Sequence, residues 1–251
     1  MENYVLITGA SSGVGRETAL FLSKSWNLIL NGRDEERLRE TKELCAKGRD
    51  VLIWTFDLVS SEKLEESFSS WLSEKNVRVE SLIYSAGMLQ MLPLRGIKLE
   101  DFHQTYSLHV YSPALLVKML SSRRINGQAL KSIVFISSNI SNRGAAAFSV
   151  YGSSKAALDG LMRNLAVELA PRVRVNSILP GGMVTRMTKA MYNADSVSEK
   201  ARERIPLGPG SPKDIASVAE FLISPASGWM TGQQLTVDGG RTVDVTDGRG
   251  L

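Results

Sequence analysis

The sequence predicts an α/β protein built on one doubly wound parallel sheet, with helices on both faces. Three observations carry this. Short aliphatic runs alternate with longer amphipathic stretches along the chain, as βαβ units require. The short runs are mostly continuous in apolar residues, so their strands are covered on both sides. The 251 residues are 43% hydrophobic and 22% charged. That composition fills a core without metals or disulfides, and it excludes a disulfide-stapled miniprotein, a collagen-like chain and a disordered polymer. No Pro/Gly/Ser-rich linker and no repeat divides the chain, so residues 1–251 read as one domain.

The elements follow in order. Tyr4–Thr8 is the first strand and Val14–Lys24 the first helix. Asn27–Asn31 with Asp34–Lys47, and Val51–Thr55 with Ser60–Glu74, repeat the pattern. Ser81–Ser85 is the fourth strand, followed by the periodic stretch Lys98–Ser122. Pro113 predicts a kink or a boundary there, because it lacks an N–H and crowds the preceding turn. Ser132–Ser137 leads to the long helix Tyr151–Ala170. Val173–Ile178, the helix Pro212–Ile223 and the strand Gln234–Val237 complete the set. Crossovers are expected to be right-handed. Gly181–Gly210 departs from the alternation and reads as a substrate lid. Arg241–Leu251 is polar and reads as a mobile tail.

Charge and cysteine content narrow the function classes. Thirty Lys and Arg against 26 Asp and Glu leave a net charge of +4. The basic residues are scattered among acids, as in Arg33-Asp34-Glu35-Glu36-Arg37. This is a solvated helix face, so no nucleic-acid partner is expected. No run approaches ~18 uninterrupted apolar residues, so no membrane partner is expected. Met1-Glu2-Asn3 lacks the basic start of a signal peptide, and the expected location is cytoplasmic. The lone Cys45 cannot form an intrachain disulfide and lies in a charged stretch that reads as a helix side. With His103 and His109 it gives no zinc-like ligand set, so no metal is expected.

Thr8-Gly9-Ala10-Ser11-Ser12-Gly13-Val14-Gly15 joins the first strand to the first helix. Gly9 permits a tight turn, Gly13 a close approach of backbone to a phosphate, and Gly15 close helix–strand packing. The helix N-terminus offers free N–H groups and a positive dipole end to an anion. No Gly-Lys-Ser/Thr follows, so this is not a P-loop. The plain alternative is an ordinary Gly-rich turn. About 20 residues on, a dinucleotide fold places an acid on the adenosine ribose. Here Gly32 holds that place and Arg33 follows. Arginine pairs with a 2′-phosphate, so NADP(H) is preferred and NAD(H) remains the alternative cofactor. Arg33 could instead pair with Glu35 or Glu36 on the next helix. Arg16 is a second cation near the phosphates, and Asp57-Leu58 can receive the adenine amino group.

Tyr151 and Lys155 stand four residues apart, on one helix face. A neighbouring ammonium is expected to lower the phenol from its free value of ~10. A tyrosine so tuned can protonate a carbonyl oxygen during hydride transfer, or take the proton back in reverse. Ser137-Ser138 ends the strand 13 residues earlier and points to the same region.

On these residues the chain resembles the short-chain dehydrogenase/reductase family, from Tyr4 to about Gly240. The resemblance implies a Rossmann-type sheet and a glycine motif met by Gly9, Gly13 and Gly15, with Ser11, Ser12 and Val14 also at the cofactor. It implies a catalytic triad at Ser138, Tyr151 and Lys155, the last two also touching the cofactor. The segment Asn176–Thr185 implies nicotinamide contacts at Pro180, Gly181, Met183, Val184 and Thr185. The closing Gly232…Val237-Asp238-Gly239-Gly240 is also typical. Two positions depart. The family's Asn-Asn-Ala-Gly reads Tyr84-Ser85-Ala86-Gly87, placing Ser85, Ala86 and Gly87 at the cofactor. The asparagine that completes a catalytic tetrad aligns with His109, from which a proton relay or a water-holding role is expected over space filling. His103 reads as a surface or capping residue.

Substrate loops are expected at Met88–Leu94, Asn139–Phe148 and Gly181–Gly210. They supply Met88, Leu89, Met91, Leu92, Phe148, Met183, Met187, Met191 and Tyr192, an apolar and adaptable set. No specific anion clamp is expected, and Arg143 and Arg186 are the residues that would contradict this by binding a carboxylate or phosphate. The leading expectation is an NADP(H)-dependent reductase of a ketone or 3-oxoacyl substrate, free or carrier-bound, resembling 3-oxoacyl-carrier-protein reductases. A sugar, sterol or secondary-alcohol dehydrogenase is the second, and a weakened dinucleotide-binding regulator the third. Gly152, Ala156 and Gly160 recur at helical spacing and permit close helix approach. The resemblance implies a homotetramer with paired long helices, or a homodimer.

Overall fold

The computed structural model describes residues 3–183 and 204–244. Seven strands form one sheet in the order β3-β2-β1-β4-β5-β6-β7. They are β1 (Asn3–Thr8), β2 (Leu28–Gly32), β3 (Val51–Thr55), β4 (Arg78–Tyr84), β5 (Ser132–Ile136), β6 (Arg174–Pro180) and β7 (Gln234–Val237). Every neighbouring pair is parallel. Every crossover must therefore return over a face of the sheet, and the helices do this. They are α1 (Gly13–Leu22), α2 (Glu35–Leu44), α3 (Leu64–Lys75), α4 (Leu99–Tyr106), α5 (Ser112–Ser121), α6 (Arg123–Asn126), α7 (Ser149–Glu168) and α8 (Pro212–Ile223).

The strand period of two sorts the core into two layers. Tyr4, Leu6, Ile133, Phe135 and Val175 pack with Phe68 of α3, Leu116 of α5 and Leu158 and Met162 of α7. Val5, Ile7, Val134, Ile136 and Ile178 pack with Ala19 of α1, Leu38 of α2 and Ala219 and Leu222 of α8. Covered strands need no polar face, so the apolar runs are continuous. Cys45 joins the second layer at the end of α2, where burial pushes its thiol pKa up. Trp54 is sealed in the first layer and stacks on Phe56, 5.4 Å between ring centres.

The stretch expected as one helix over Lys98–Ser122 is broken. Between α4 and α5 lies a π turn, Ser107–Tyr111, where the Ser112 N–H reaches the Ser107 carbonyl five residues back. Pro113 in the first turn of α5 has no N–H to give. The Leu108 carbonyl, left without its usual donor, accepts from the Tyr84 hydroxyl at 2.5 Å. The expected strand Ser81–Ser85 begins three residues earlier and ends at Tyr84, and α7 begins two residues before Tyr151.

Part of the expected lid and tail falls outside the described residues. At the base of the Gly181–Gly210 insertion, Met183 and Gly210 form a parallel bridge. No helix among the described residues is long and apolar enough to cross a membrane. No cluster of three or more His, Cys, Asp or Glu among them could hold a metal ion.

Candidate active site

A parallel sheet carries all its strand C-termini to one edge. A cleft of about 750 Å³ opens there, lined from Gly9 on the first turn to Met183 after β6. Of the expected cofactor residues, Gly9, Ser11, Ser12, Gly13, Val14, Arg33, Asp57, Leu58, Ser85, Ala86, Gly87, Pro180, Gly181 and Met183 line it. Ser138, Tyr151 and Lys155 line it as well. Val184 and Thr185 lie outside the described residues, as do Arg186, Met187, Met191 and Tyr192.

The glycine turn is built for close approach. Gly9 has φ +67°, and a Cβ there would stand 2.9 Å from the Ala86 Cα. A Cβ on Gly15 would stand 2.4 Å from the Gly9 carbonyl oxygen, so α1 packs directly on the turn. Buried Thr8 locks the two loops together, its Oγ1 accepting from the Ser85 and Ala86 N–H groups at 3.0 Å each. Ser12 at the start of α1 makes no side-chain cap, and the first turn holds no acid. The amide donors of α1 are thus left for an anion, and the cradle fits a dinucleotide pyrophosphate.

The adenosine end differs in detail from expectation. Arg33 is 75% exposed and lies 4.0 Å from Asp57, so the expected adenine acceptor already faces a cation. Glu35 pairs with Arg39 and not with Arg33. Arg37, which the sequence reading missed, lines the same wall from the first turn of α2. Arg16 is corrected: it is drawn toward Glu40, 3.6 Å away, and does not line the cleft.

At the other end Ser138 follows β5, and Tyr151 and Lys155 rise from α7. The Lys155 Nζ donates to the Ile136 carbonyl at 3.0 Å and lies 6.0 Å from the Tyr151 ring centre. Burial lowers the Lys155 pKa to about 8, and Asp159 opposes that fall. The expected lowering of the phenol is not found. Burial raises the Tyr151 pKa, and the Ser138 hydroxyl only offsets part of the rise. Phe148 and His109 stand edge-on to the Tyr151 ring.

His109 sits in the π turn, fully buried. Its Nε2 accepts from the Met88 N–H at 3.1 Å, so that nitrogen carries no proton. Its Nδ1 therefore donates to the Ser154 Oγ at 2.8 Å, and Ser154 in turn donates to the Tyr151 carbonyl at 2.7 Å. Burial first, and Lys155 second, hold its pKa well below the ordinary value of 6.5. The ring is neutral, with both nitrogens engaged. A Cβ on Gly87 would crowd the His109 Nε2 at 3.2 Å and touch the Lys155 Nζ at an ordinary 3.6 Å, so glycine leaves the most room between them. His103 is exposed in the last turn of α4.

Of the expected substrate residues, Met88, Leu89, Phe148 and Met183 line the cleft. Met91 is about half exposed. The Leu92 N–H donates to the Ala147 carbonyl at 2.9 Å, tying two of the substrate loops together.

A glycine cradle and a Ser–Tyr–Lys cluster, set by one parallel sheet in a single cleft, define an oxidoreductase of the nucleotide-dependent kind. Comparison with known proteins gives the family. A family profile described as Enoyl-(Acyl carrier protein) reductase matches residues 9–242. The 3-oxoacyl-acyl-carrier-protein reductase of Aquifex aeolicus is 31% identical over 240 residues, 94% of this chain and 95% of that one. A Brucella melitensis structure, described as a short-chain dehydrogenase/reductase of the glucose/ribitol dehydrogenase type, is 33% identical. It superposes with a TM-score of 0.84 over 96% of each chain. A 4-hydroxyisoleucine dehydrogenase mutant complexed with NADH and succinate is 27% identical, with a TM-score of 0.88 over 97% of this chain and 99% of that one. The chain belongs to the short-chain dehydrogenase/reductase family, and within it resembles the 3-oxoacyl-carrier-protein reductases.

Proposed function

We propose that the protein is a cytoplasmic, NADP(H)-dependent carbonyl reductase acting on a ketone or 3-oxoacyl substrate, free or carrier-bound. The observation that carries this reading is the meeting of Ser138, Tyr151 and Lys155 in the cleft that also holds the glycine turn. When bound, a nicotinamide dinucleotide supplies the hydride, or takes it up in reverse. The backbone from Gly9 to Val14 would hold its pyrophosphate, Arg33 and Arg37 its 2′-phosphate, and Pro180 to Met183 its nicotinamide, with Val184 and Thr185 assigned there by family likeness.

The chain's own groups handle the proton. Tyr151 donates its phenolic proton to the carbonyl oxygen as the carbon is reduced. The raised phenol pKa keeps that proton in place near neutrality, which suits the reductive direction. Ser138 holds the same oxygen by hydrogen bond. Lys155 supplies the local positive charge that a departing proton requires. His109 is a positioning group: it fixes Met88 at the substrate loop to α7 and so holds Tyr151 in place. The apolar walls Met88, Leu89 and Phe148 take the substrate body and exclude water.

Tyr151→Phe is expected to abolish turnover of NADPH with a ketone panel, while NADPH binding stays within about twofold. Full activity in that variant would sink the assignment. A second reading, a sugar or secondary-alcohol dehydrogenase, is favoured by the likeness to the glucose/ribitol dehydrogenase structure and by Asn139, a polar residue on the cleft wall. Turnover of polyols with NADP⁺ or NAD⁺ but of no ketone would select it. Tight NADPH binding with no turnover on either panel would select the regulatory reading.

A further inference from the structure

Below the Tyr151–Lys155 pair lies a polar layer that the proton chemistry leaves unused. Asp159 follows Lys155 by four residues, so both project from one side of α7. It is 2% exposed, and Lys155 is 4% exposed. The sheet surface facing them carries two serines. Phe135 of β5 pairs in register with Ser177 of β6. Ser137 follows Phe135 by two residues, so all three side chains face the α7 layer. The Ser137 Oγ donates to the Asp159 Oδ2 at 3.0 Å. The Asp159 Oδ1 and the Ser177 Oγ are buried and have no hydrogen-bond partner among the described residues.

Packing alone does not account for a carboxylate here. A leucine would fill the layer without burying polar atoms, and a carboxylate with one donor is poorly compensated by hydrogen bonds. Its compensation must come from a charge. Among the described residues, few titratable groups face Lys155. The π turn offers His109, which is neutral. The helix itself offers Tyr151, which keeps its proton, and Asp159. β5 and the residues after it offer hydroxyls and the Ile136 carbonyl, and Gly87 offers backbone. Asp159 is thus the one carboxylate facing the ammonium among the described residues.

We propose that Asp159 is a positioning residue for Lys155: anchored by Ser137, its buried carboxylate is the counter-charge that keeps the ammonium protonated at working pH. This rests on Lys155 being part of the reacting cluster. Burial drives the Lys155 pKa down toward about 8, and Asp159 is the group acting against that drive. Without it the ammonium would lose its proton nearer neutrality, and the local positive charge beside Tyr151 would go with it.

The direct test needs no substrate. In ¹⁵N-lysine-labelled protein without cofactor, the Nζ signal of Lys155 is assigned by its loss in Lys155→Met and followed against pH. In Asp159→Asn the midpoint is expected to fall by roughly one pH unit. Asp159→Glu, which keeps the charge, is expected to hold it near the wild-type value. An unchanged midpoint in folded Asp159→Asn overturns the proposal. Asp159→Ser, smaller and neutral, replaces Asp159→Asn if the amide disturbs folding. The second readout is the pH profile of NADPH oxidation with the best ketone of the panel. Its alkaline limb is expected to move down by the same interval as the Nζ midpoint. A shifted midpoint with an unmoved limb would overturn the positioning role while leaving the charge coupling standing. Full activity in Tyr151→Phe would instead remove the site assignment, and the Nζ titration would distinguish the two failures.

Discussion

Gly32 and Arg33 set different conditions for a ribose and for its phosphate. Position 32 brings no carboxylate to the ribose hydroxyls, and Arg33 and Arg37 bring two guanidinium groups to the same wall. Removing one charge-assisted contact costs about 1.5–3 kcal/mol. Arg33→Ala is therefore expected to raise the NADPH dissociation constant by about tenfold or more and to leave that of NADH nearly unchanged. Equal losses for both would remove Arg33 from the 2′-phosphate. His109 carries a stability prediction. Its pKa is depressed in the folded chain, so below 6.5 the unfolded chain binds a proton that the folded chain refuses. Its contribution is full above that pH and is lost as pH falls, by up to about 1.4 kcal/mol per pH unit. Denaturant midpoints from pH 7 to pH 5 are expected to fall more steeply in the wild type than in His109→Asn. The legible residues were those fixed by local spacing. Tyr151 and Lys155 share a helix face, Ser138 follows a strand end, and Gly9 to Gly15 form one turn into α1. The role of Thr8 and the anchoring of Asp159 by Ser137 were not legible, because each depends on a contact made only when distant segments meet. The expected direction of the Tyr151 shift failed for the same reason: the sequence places Lys155 nearby but cannot say that burial outweighs it.

Among the elements, the break between α4 and α5 departs most from its periodic pattern. Amphipathic spacing runs through Lys98–Ser122 without interruption, and only Pro113 marked the fault. The extra residue in the π turn rotates α5 relative to α4 and places His109 against Met88 and Ser154. Tyr84 holds this turn from the end of β4 through the Leu108 carbonyl. Tyr84→Phe leaves that buried carbonyl without a donor, which costs about 1–3 kcal/mol. At about 2–4 °C per kcal/mol for a chain of this size, the melting temperature is expected to drop by several degrees. An unchanged melting temperature would show that the turn holds without Tyr84. The strands were legible because two-sided burial writes itself as an apolar run. Their ends were less so: β4 starts early because Val79 is buried as deeply as the residues expected to form the strand.

At the scale of the whole molecule, one sheet gathers groups from residue 9 to residue 183 along a single edge. That arrangement buries a lysine, and the stability of the fold should register it. The folded Lys155 value of about 8 lies below the ordinary 10.5. Between those two values the unfolded chain holds a proton that the folded chain releases, so stability rises with pH across that window. Below it, the charged lysine lowers stability by about 3 kcal/mol. Urea midpoints at pH 7.5 and pH 9.5 are expected to diverge in the wild type relative to Lys155→Met. Parallel changes in the two proteins would mean that the ammonium is better solvated than its burial implies. The outer face of α7 is the place to look for a second copy. Ala156 and Arg163 are exposed there, and Val167 is 80% exposed. Light scattering is expected to give a dimer or tetramer, and a mass of 27.5 kDa would refute association. The stack of Trp54 on Phe56 carries this anatomy into optics. Phe56 lines the nucleotide cleft, and the indole behind it is shut away from water. Its emission should be blue-shifted, and it overlaps the absorption of a reduced nicotinamide, so the chain contains its own energy-transfer donor for watching the cleft fill.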